Sequence, residues 1–441
     1  MTDITHARVL RIALPIVISN ATVPLLGAVD TAVVGQMGLA APIGAVGLGA
    51  VVLATVYWIF GFLRMGTSGL AAQAQGAGDM PERTAILLRA LVVAVVAGLG
   101  LIALQGALFW AAFKVAPASA EVEGLMRAYL GIRIWGAPAT ISLYAITGWL
   151  VAVARTRGVM VLQVGMNAAN VGVSMWFVLG LGWGVPGVAM ATLIAEWCGL
   201  ALGLWLCRDA FGAVLRSAWA RVGNRAALAV MLVVNRDIMV RSVILQLSFT
   251  TFLFLGAGYG DVTLAANQVL LQFLQVTAFA LDGFAFAAEG LVGQAVGAGL
   301  VLQARRASVV TMQWGVIGAL LMAAVIALTG GALIDVMTTS VEVQQAARGY
   351  LPWLVLAPLV GVVSWVFDGI FIGATLTGLM MRTMLVSVAC YIVALIVLVP
   401  GLGNHGLWAS LTVLNIARAV TMGWVYGAVE RKAGMVGANP P

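Results

Sequence analysis

Gly69-Leu-Ala-Ala-Gln-Ala-Gln-Gly-Ala-Gly78 returns later in the chain as Gly290-Leu-Val-Gly-Gln-Ala-Val-Gly-Ala-Gly299, identical at seven of ten positions and displaced by 221 residues. Gly148 matches Gly369 at the same offset, and the Gly184-x-x-Gly187 turn matches Gly403-x-x-Gly406 at an offset of 219. A chain with 53 glycines produces single matches by chance. Three in the same order at nearly one offset mark an internal duplication. The longest polar interval, residues 208–229, separates the two copies near the midpoint of the 441-residue chain.

The repeat lies among long apolar runs. The chain is 62% hydrophobic and 9% charged, with a mean hydropathy of +1.07, whereas soluble domains carry roughly 25% charged residues. The runs fall near 9–35, 42–70, 86–112, 126–153, 159–182, 186–207, 230–258, 263–292, 308–334, 348–375, 382–402 and 405–428. Each is about as long as the ~20 residues that cross a bilayer as a helix. They are continuous rather than alternating, which excludes a transmembrane barrel. The expected fold is an all-α membrane protein of twelve transmembrane helices in two pseudo-symmetric six-helix lobes. Its parts would be an N-lobe over 1–207, a cytoplasmic linker over 208–229, a C-lobe over 230–432 and a tail over 433–441. Six spans per copy keep the same orientation, so an axis along the membrane normal relates the halves.

Orientation follows from the basic residues. With the N-terminus inside, seventeen Lys and Arg flank the cytoplasmic side and four (Lys114, Arg127, Arg133 and Arg348) the other, while Arg64 and Arg418 lie within spans. Both termini are therefore expected in the cytoplasm of a bacterial-type cell, with the chain multi-pass in the inner membrane. The +7 net charge serves this topology, not nucleic acid. The apolar run after Arg8 and Arg11 continues to about Val34, too long for a signal peptide, and reads as the first span. Cys198, Cys207 and Cys390 read as buried inert thiols. No metal-ligand spacing surrounds His6 or His405, and no GxxxxGK[ST] loop exists for ATP. Neither a cofactor nor a metal is expected, and two isolated histidines argue against an enzyme.

Carboxylates inside spans need a reason, because insertion of one at the bilayer centre costs at least ~2.5–3.5 kcal/mol. Asp30, Glu196, Asp282, Glu289 and Asp368 are such groups. Each has two readings, a structural ion pair with a residue such as Arg64 or Arg418, or a proton-binding group whose charged form burial disfavours. Asp282 and Glu289, seven apart, share a helix face; so do Asn170 with Ser174, and Thr192 with Glu196. Pro15 and Pro24 each remove a backbone bond from the first span and make it a helix that can bend. The alternative is a static kink. Secondary transport by alternating access is the function this pattern suits, and a purely structural membrane protein would not need these carboxylates.

Several stretches resemble the multidrug and toxic compound extrusion (MATE) family, in particular its DinF-like branch. They are Ala13-Leu-Pro15 with Asp30-Thr-Ala-Val-Val-Gly35, Gly187-Val-Ala-Met-Ala-Thr192-Leu-Ile-Ala-Glu196, Asn235-Arg-Asp237-Ile-Met-Val-Arg241, Leu264-Ala-Ala-Asn-Gln268, Asp282-Gly-Phe-Ala-Phe-Ala-Ala-Glu289 and Asp368-Gly-Ile-Phe-Ile-Gly-Ala-Thr375. The resemblance implies a V-shaped pair of lobes and export of small organic, amphiphilic or cationic compounds by a monomer. The coupling ion would be H⁺, with Na⁺ the other candidate. It also implies that Asp30 is the N-lobe protonation site, with Asn170 and Thr192 its hydrogen-bonded partners, and that Pro15 is the kinking proline. Ser174 stands where an acidic residue or Asn is common, which weakens a sodium site. Asp368 matches a C-lobe cation site whose span-7 acidic partner has no clear match, leaving Asp282 and Glu289 as substitutes. The alternative within transport is a flippase for lipid-linked precursors, which would require a basic cavity.

Overall fold

The computed structural model describes residues 3–22, 33–36, 40–115 and 119–438, and all its regular elements are helical. In chain order these are α1 (His6–Ala21), α2 (Ala40–Trp58), α3 (Phe62–Ala77), α4 (Met80–Ala103), α5 (Gln105–Val115), α6 (Ala120–Arg133), α7 (Ala137–Ala152) and α8 (Thr156–Met175). There follow α9 (Gly184–Leu206), α10 (Leu215–Val222), α11 (Arg225–Ala257), α12 (Asp261–Gly297), α13 (Val301–Met337), α14 (Val341–Gly373), α15 (Thr377–Leu402), α16 (Asn404–Val425) and α17 (Gly427–Ala438). Among the described residues ten helical stretches are long and apolar enough to cross a membrane. Of the other two expected spans, the first begins as α1. The last is α16, 22 residues long, whose Asn404, His405, Asn415 and Arg418 dilute its apolar character.

Helices overrun the apolar runs because the backbone ladder stops at a cap, not where hydropathy falls. α4 starts at Asp79, whose carboxylate accepts from the Glu82 amide at 3.0 Å, with Pro81 in the first turn. α13 starts seven residues before the run at 308. Its overhang holds Arg305, bidentate to Glu430 at 2.7 and 2.6 Å, and Arg306, whose Nε donates to the Ile4 carbonyl at 2.7 Å. The linker contains a helix, α10, which docks on the start of α4. Arg221 meets Asp79 at 2.7 Å, and Arg89 donates to the carbonyls of Arg221 and Val222. The cysteines differ from expectation: Cys207 is buried, but Cys198 and Cys390 are exposed. An apolar exterior leaves room on helix surfaces for any apolar side chain, so hydrophobicity alone did not mark the core.

Residues 18–71 and 79–231 form one compact unit; residues 1–17, 72–78 and 232–441 form the other. The first unit is cored by residues such as Leu53, Tyr57, Met126, Tyr129, Leu130, Ile134 and Val188. The second is cored by residues such as Phe252, Leu270, Leu354, Tyr391, Trp408 and Leu411.

Within the second unit the two quoted stretches meet. A Cβ on Gly76 would lie 2.0 Å from the carbonyl oxygen of Gln294, and a Cβ on Gly297 would lie 2.0 Å from that of Gln73. The partners of each contact are the repeat equivalents of the other's, a local two-fold in which i meets j and j meets i. Only glycine permits backbones this close. The repeat also recurs separately in the two units. Gly148 presses on the Arg64 carbonyl in the first (2.2 Å from a would-be Cβ), and Gly369 on that of Ala285 in the second (2.1 Å). Left-handed turns recur 221 residues apart at Gly78 and Gly299 and at Gly182 and Gly403. They recur as well at the non-glycine pair Ala154 (φ 58°) and Thr375 (φ 48°), each costing about 1–2 kcal/mol.

Candidate coupling and binding sites

In the first unit, α8 carries Gln163, Asn167, Asn170 and Ser174 at spacings of four, three and four, one polar face of a helix. Asn170 and Thr192 come together as the resemblance implied: Asn170 Nδ2 donates to Thr192 Oγ1 at 2.8 Å, and Thr192 donates onward to the Val188 carbonyl at 3.0 Å. Ser174 donates to Asn170 Oδ1 at 3.4 Å, and all three residues are buried. One turn earlier, Asn167 Nδ2 donates to Thr22 Oγ1 at 2.8 Å, so the polar face of α8 meets the first span just past α1. After Ser174 the helix widens into a π turn over Trp176–Gly180, a distortion frequent beside functional residues. Asp30 and Pro24 lie outside the described residues.

Glu196, on the same face of α9 as Thr192, has the structural role. It pairs with Arg133 of α6 at 2.7 Å, both side chains at most 10% exposed. A Cβ on Gly136 would lie 2.0 Å from Glu196 Oε2, so Gly136 makes room for the pair. The partner was not Arg64 or Arg418, and Arg133 is not a flanking surface charge. Its place in the apolar run Gly131-Ile-Arg133-Ile-Trp-Gly136 was the signal for that.

In the second unit, α1 runs unbroken through Pro15. Gly283 of α12 presses on this turn, a would-be Cβ lying 2.8 Å from the Ala13 carbonyl and 2.6 Å from Val17. Asp282, half-buried, therefore sits beside the proline turn, while Glu289, two turns on, is buried where α12 crosses Gly373 of α14. Both carboxylates have interaction partners. Near the helix ends, Gln73 Nε2 donates to the Gly373 carbonyl at 2.9 Å and to Thr375 Oγ1 at 3.0 Å, and Lys432 of α17 also donates to Thr375.

Asp368 is bracketed by two arginines. Its Oδ2 accepts from Arg241 of α11 and, at 2.6 Å, from Arg418 of α16; Arg418 also donates to Asn415 Oδ1 at 3.1 Å. Both arginines are buried. By formal charge the trio holds two guanidiniums and one carboxylate, so the residue that the resemblance implied as a C-lobe cation site is ion-paired here. Arg241 is one of the seventeen basic residues that the sequence assigns to the cytoplasmic flank, and it is buried instead. One turn before it on α11, Asp237 is buried, pairs with Arg236 at 2.8 Å and accepts from Thr377 at 3.4 Å at the start of α15. A cavity next to this group is lined by residues including Phe249, Leu274, Trp353, Trp408, Thr412 and Asn415.

The MatE family pattern matches the chain twice, over residues 15–176 and 237–399, in step with the internal repeat. DNA damage-inducible protein F of Escherichia coli K12 is 39% identical, the alignment covering 94% of this chain and 90% of that protein. The chloroplastic Protein DETOXIFICATION 44 of Arabidopsis thaliana is 27% identical over 95% of this chain and 82% of its own length. Among solved structures, the bent form of the Vibrio cholerae MATE transporter VcmN superposes with a TM-score of 0.85 at 18% identity, covering 98% of both chains. A MOP-superfamily transporter from Pyrococcus furiosus superposes with 0.84 at 20% identity, covering 97% of this chain and 96% of that one. Duplicated apolar helices, ion pairs buried among them and these likenesses agree: the chain is a multi-pass membrane protein that belongs to the MatE family, the multidrug and toxic compound extrusion transporters.

Proposed function

We propose that the chain exports small organic amphiphiles across the inner membrane in exchange for protons, with both termini in the cytoplasm. The two six-helix lobes, residues 1–207 and 230–432, alternate access about the 208–229 linker, and the protein acts as a monomer without a cofactor. The observation that carries this reading is the buried Asn170–Thr192 bond, with Ser174 beside it, on the helix face that meets the first span at Thr22. Asp30 follows Thr22 by eight residues on that span. The second N–H of the Asn170 amide is the donor assigned to its carboxylate.

In this account Asp30 takes a proton from the outside, the hydrogen bond weakens, and the first span bends at Pro15 and Pro24. The N-lobe then releases its substrate outward. Each proton entering down 100 mV supplies about 2.3 kcal/mol. H⁺ is favoured over Na⁺ because Asn170, Ser174 and Thr192 offer only neutral groups, whereas a hard cation takes several oxygen ligands, carboxylates among them. Asp282, beside the Pro15 turn, and Glu289 are the candidates for a second protonation step.

Inverted membrane vesicles decide the ion. Substrate accumulation should follow an imposed pH gradient in sodium-free buffer and ignore a sodium gradient at fixed pH. Accumulation driven by sodium alone would overturn the proton assignment.

A further inference from the structure

We infer that the second unit contains a binding subsite for the anionic end of an amphiphile, built from Arg241, Arg418 and Asp368. The inference deepens the transport reading and rests on it for the role of the subsite, although not for its existence.

The charges carry the argument. Arg241 and Arg418, on separate helices and both buried, converge on one carboxylate oxygen of Asp368. On α11 the neighbouring Asp237 has its own partner in Arg236. On α12 Asp282 and Glu289 are also engaged in interactions. Within the trio itself two guanidiniums meet one carboxylate, a formal surplus of one positive charge. Burying two guanidiniums against one carboxylate is a poor way to hold helices together, since a neutral pair does so without the surplus. It is a good way to hold an anion. A guanidinium offers five N–H donors in a planar fork, and each arginine uses only one nitrogen on Asp368.

The cavity supplies the apolar half. It starts one hydrogen bond away, at Asn415, which accepts from Arg418 and lines the wall. From there Phe249, Leu274, Trp353 and Trp408 line an aromatic and aliphatic space that is about water-sized in this conformation, so a hydrophobic body enters only as these side chains move apart. A carboxylate, sulfonate or phosphate at one end and an apolar frame at the other is the chemistry that fits. It narrows the expected amphiphilic or cationic compounds to amphiphiles with an anionic end. Two sources share this chemistry, a free anionic amphiphile and a membrane lipid with a phosphate head.

The test is equilibrium binding to the full-length protein in nanodiscs, without any ion gradient, using 1-anilinonaphthalene-8-sulfonate as the anionic probe and tetraphenylphosphonium as the cationic one. R241Q makes the group neutral and should weaken the sulfonate at least tenfold without weakening the phosphonium. D368N raises its charge to +2 and should tighten the sulfonate severalfold. These opposite signs separate a binding role from loss of packing, which would lower both affinities, and the melting temperature of each variant is recorded alongside. Competition by dodecanoate or by a polyprenyl diphosphate then tells the free from the lipid source, and displacement by either supports the subsite. Sulfonate affinity unchanged in both variants, or displaced by neither competitor, overturns it. Because no proton gradient is involved, failure here leaves proton-driven export standing, and failure of coupling leaves this result standing.

Discussion

Replacing Gly76 by alanine perturbs the place where the two copies of the repeat touch. The new methyl would sit 2.0 Å from the Gln294 carbonyl oxygen and 2.7 Å from its carbon. An unstrained carbon–oxygen contact is about 3.3–3.6 Å, so α3 and α12 must part by about 1.3 Å or more. Both surfaces are backbone, and no side chain can swing aside. Overpacking of this kind costs typically ~1–3 kcal/mol, and an immovable partner places G76A at the upper end, near ~3 kcal/mol. The same separation relieves the reciprocal contact of Gly297 on Gln73. Gly297→Ala alone should therefore cost about as much, and the double variant ~3 rather than ~6 kcal/mol, because the two sites share one displacement. Gly124→Ala and Gly131→Ala, with nothing within 4 Å, are the controls. The assay is thermal unfolding of the detergent-solubilised protein. Melting of G76A together with the controls, or simple addition of the two glycine costs, would refute this backbone contact.

Three further outcomes are expected. Arg133→Ala leaves Glu196 buried without its cation and should cost about 3–5 kcal/mol, with Arg133→Ala plus Glu196→Ala recovering much of it in the same melting assay. Thr192→Val removes the acceptor of the Asn170 amide and should cost only about 1 kcal/mol in folding, yet slow export in vesicles far more than that loss explains. Burial holds the Lys432 ammonium down to about 8, against an ordinary 10.5. Between those values the folded state binds fewer protons than the unfolded chain, so stability rises with pH across that window. Lys432→Met should therefore gain most over the native protein at pH 7, with the gap narrowing by pH 10; a pH-independent gap in melting temperature would contradict this.

The fold was legible because it rests on signals local in sequence. Hydropathy marks the ten described stretches long and apolar enough to cross a membrane, and the 221-residue repeat shows in residues such as Gly76 and Gly297, each pressed on the backbone of the other copy. Asn170 and Thr192 were legible through the family resemblance, and the structure joins them by a hydrogen bond. What stayed hidden were partners chosen by folding. Arg133 meets Glu196 across 63 positions and Arg241 meets Asp368 across 127, and no periodicity links helices that far apart. Counting basic residues by side cannot tell an arginine at the lipid surface from one turned into the bundle. Removing the buried Arg83, Arg89, Arg133 and Arg241 from that count still leaves the strong bias that sets the orientation. Asp368 shows the same limit. Its depth in the membrane was readable, but its two guanidinium neighbours, which change its chemistry, were not.

The account centres on one exchange, a proton on Asp30 for a substrate in the cavity. Reconstituted vesicles with a trapped pH indicator measure it directly, because adding substrate on the cytoplasmic side should drive protons the opposite way. The native protein is predicted to show this flux at a fixed ratio to substrate moved, and Asp30→Asn to show none while still folding and binding substrate. Undiminished proton flux from the Asp30→Asn protein would contradict the account.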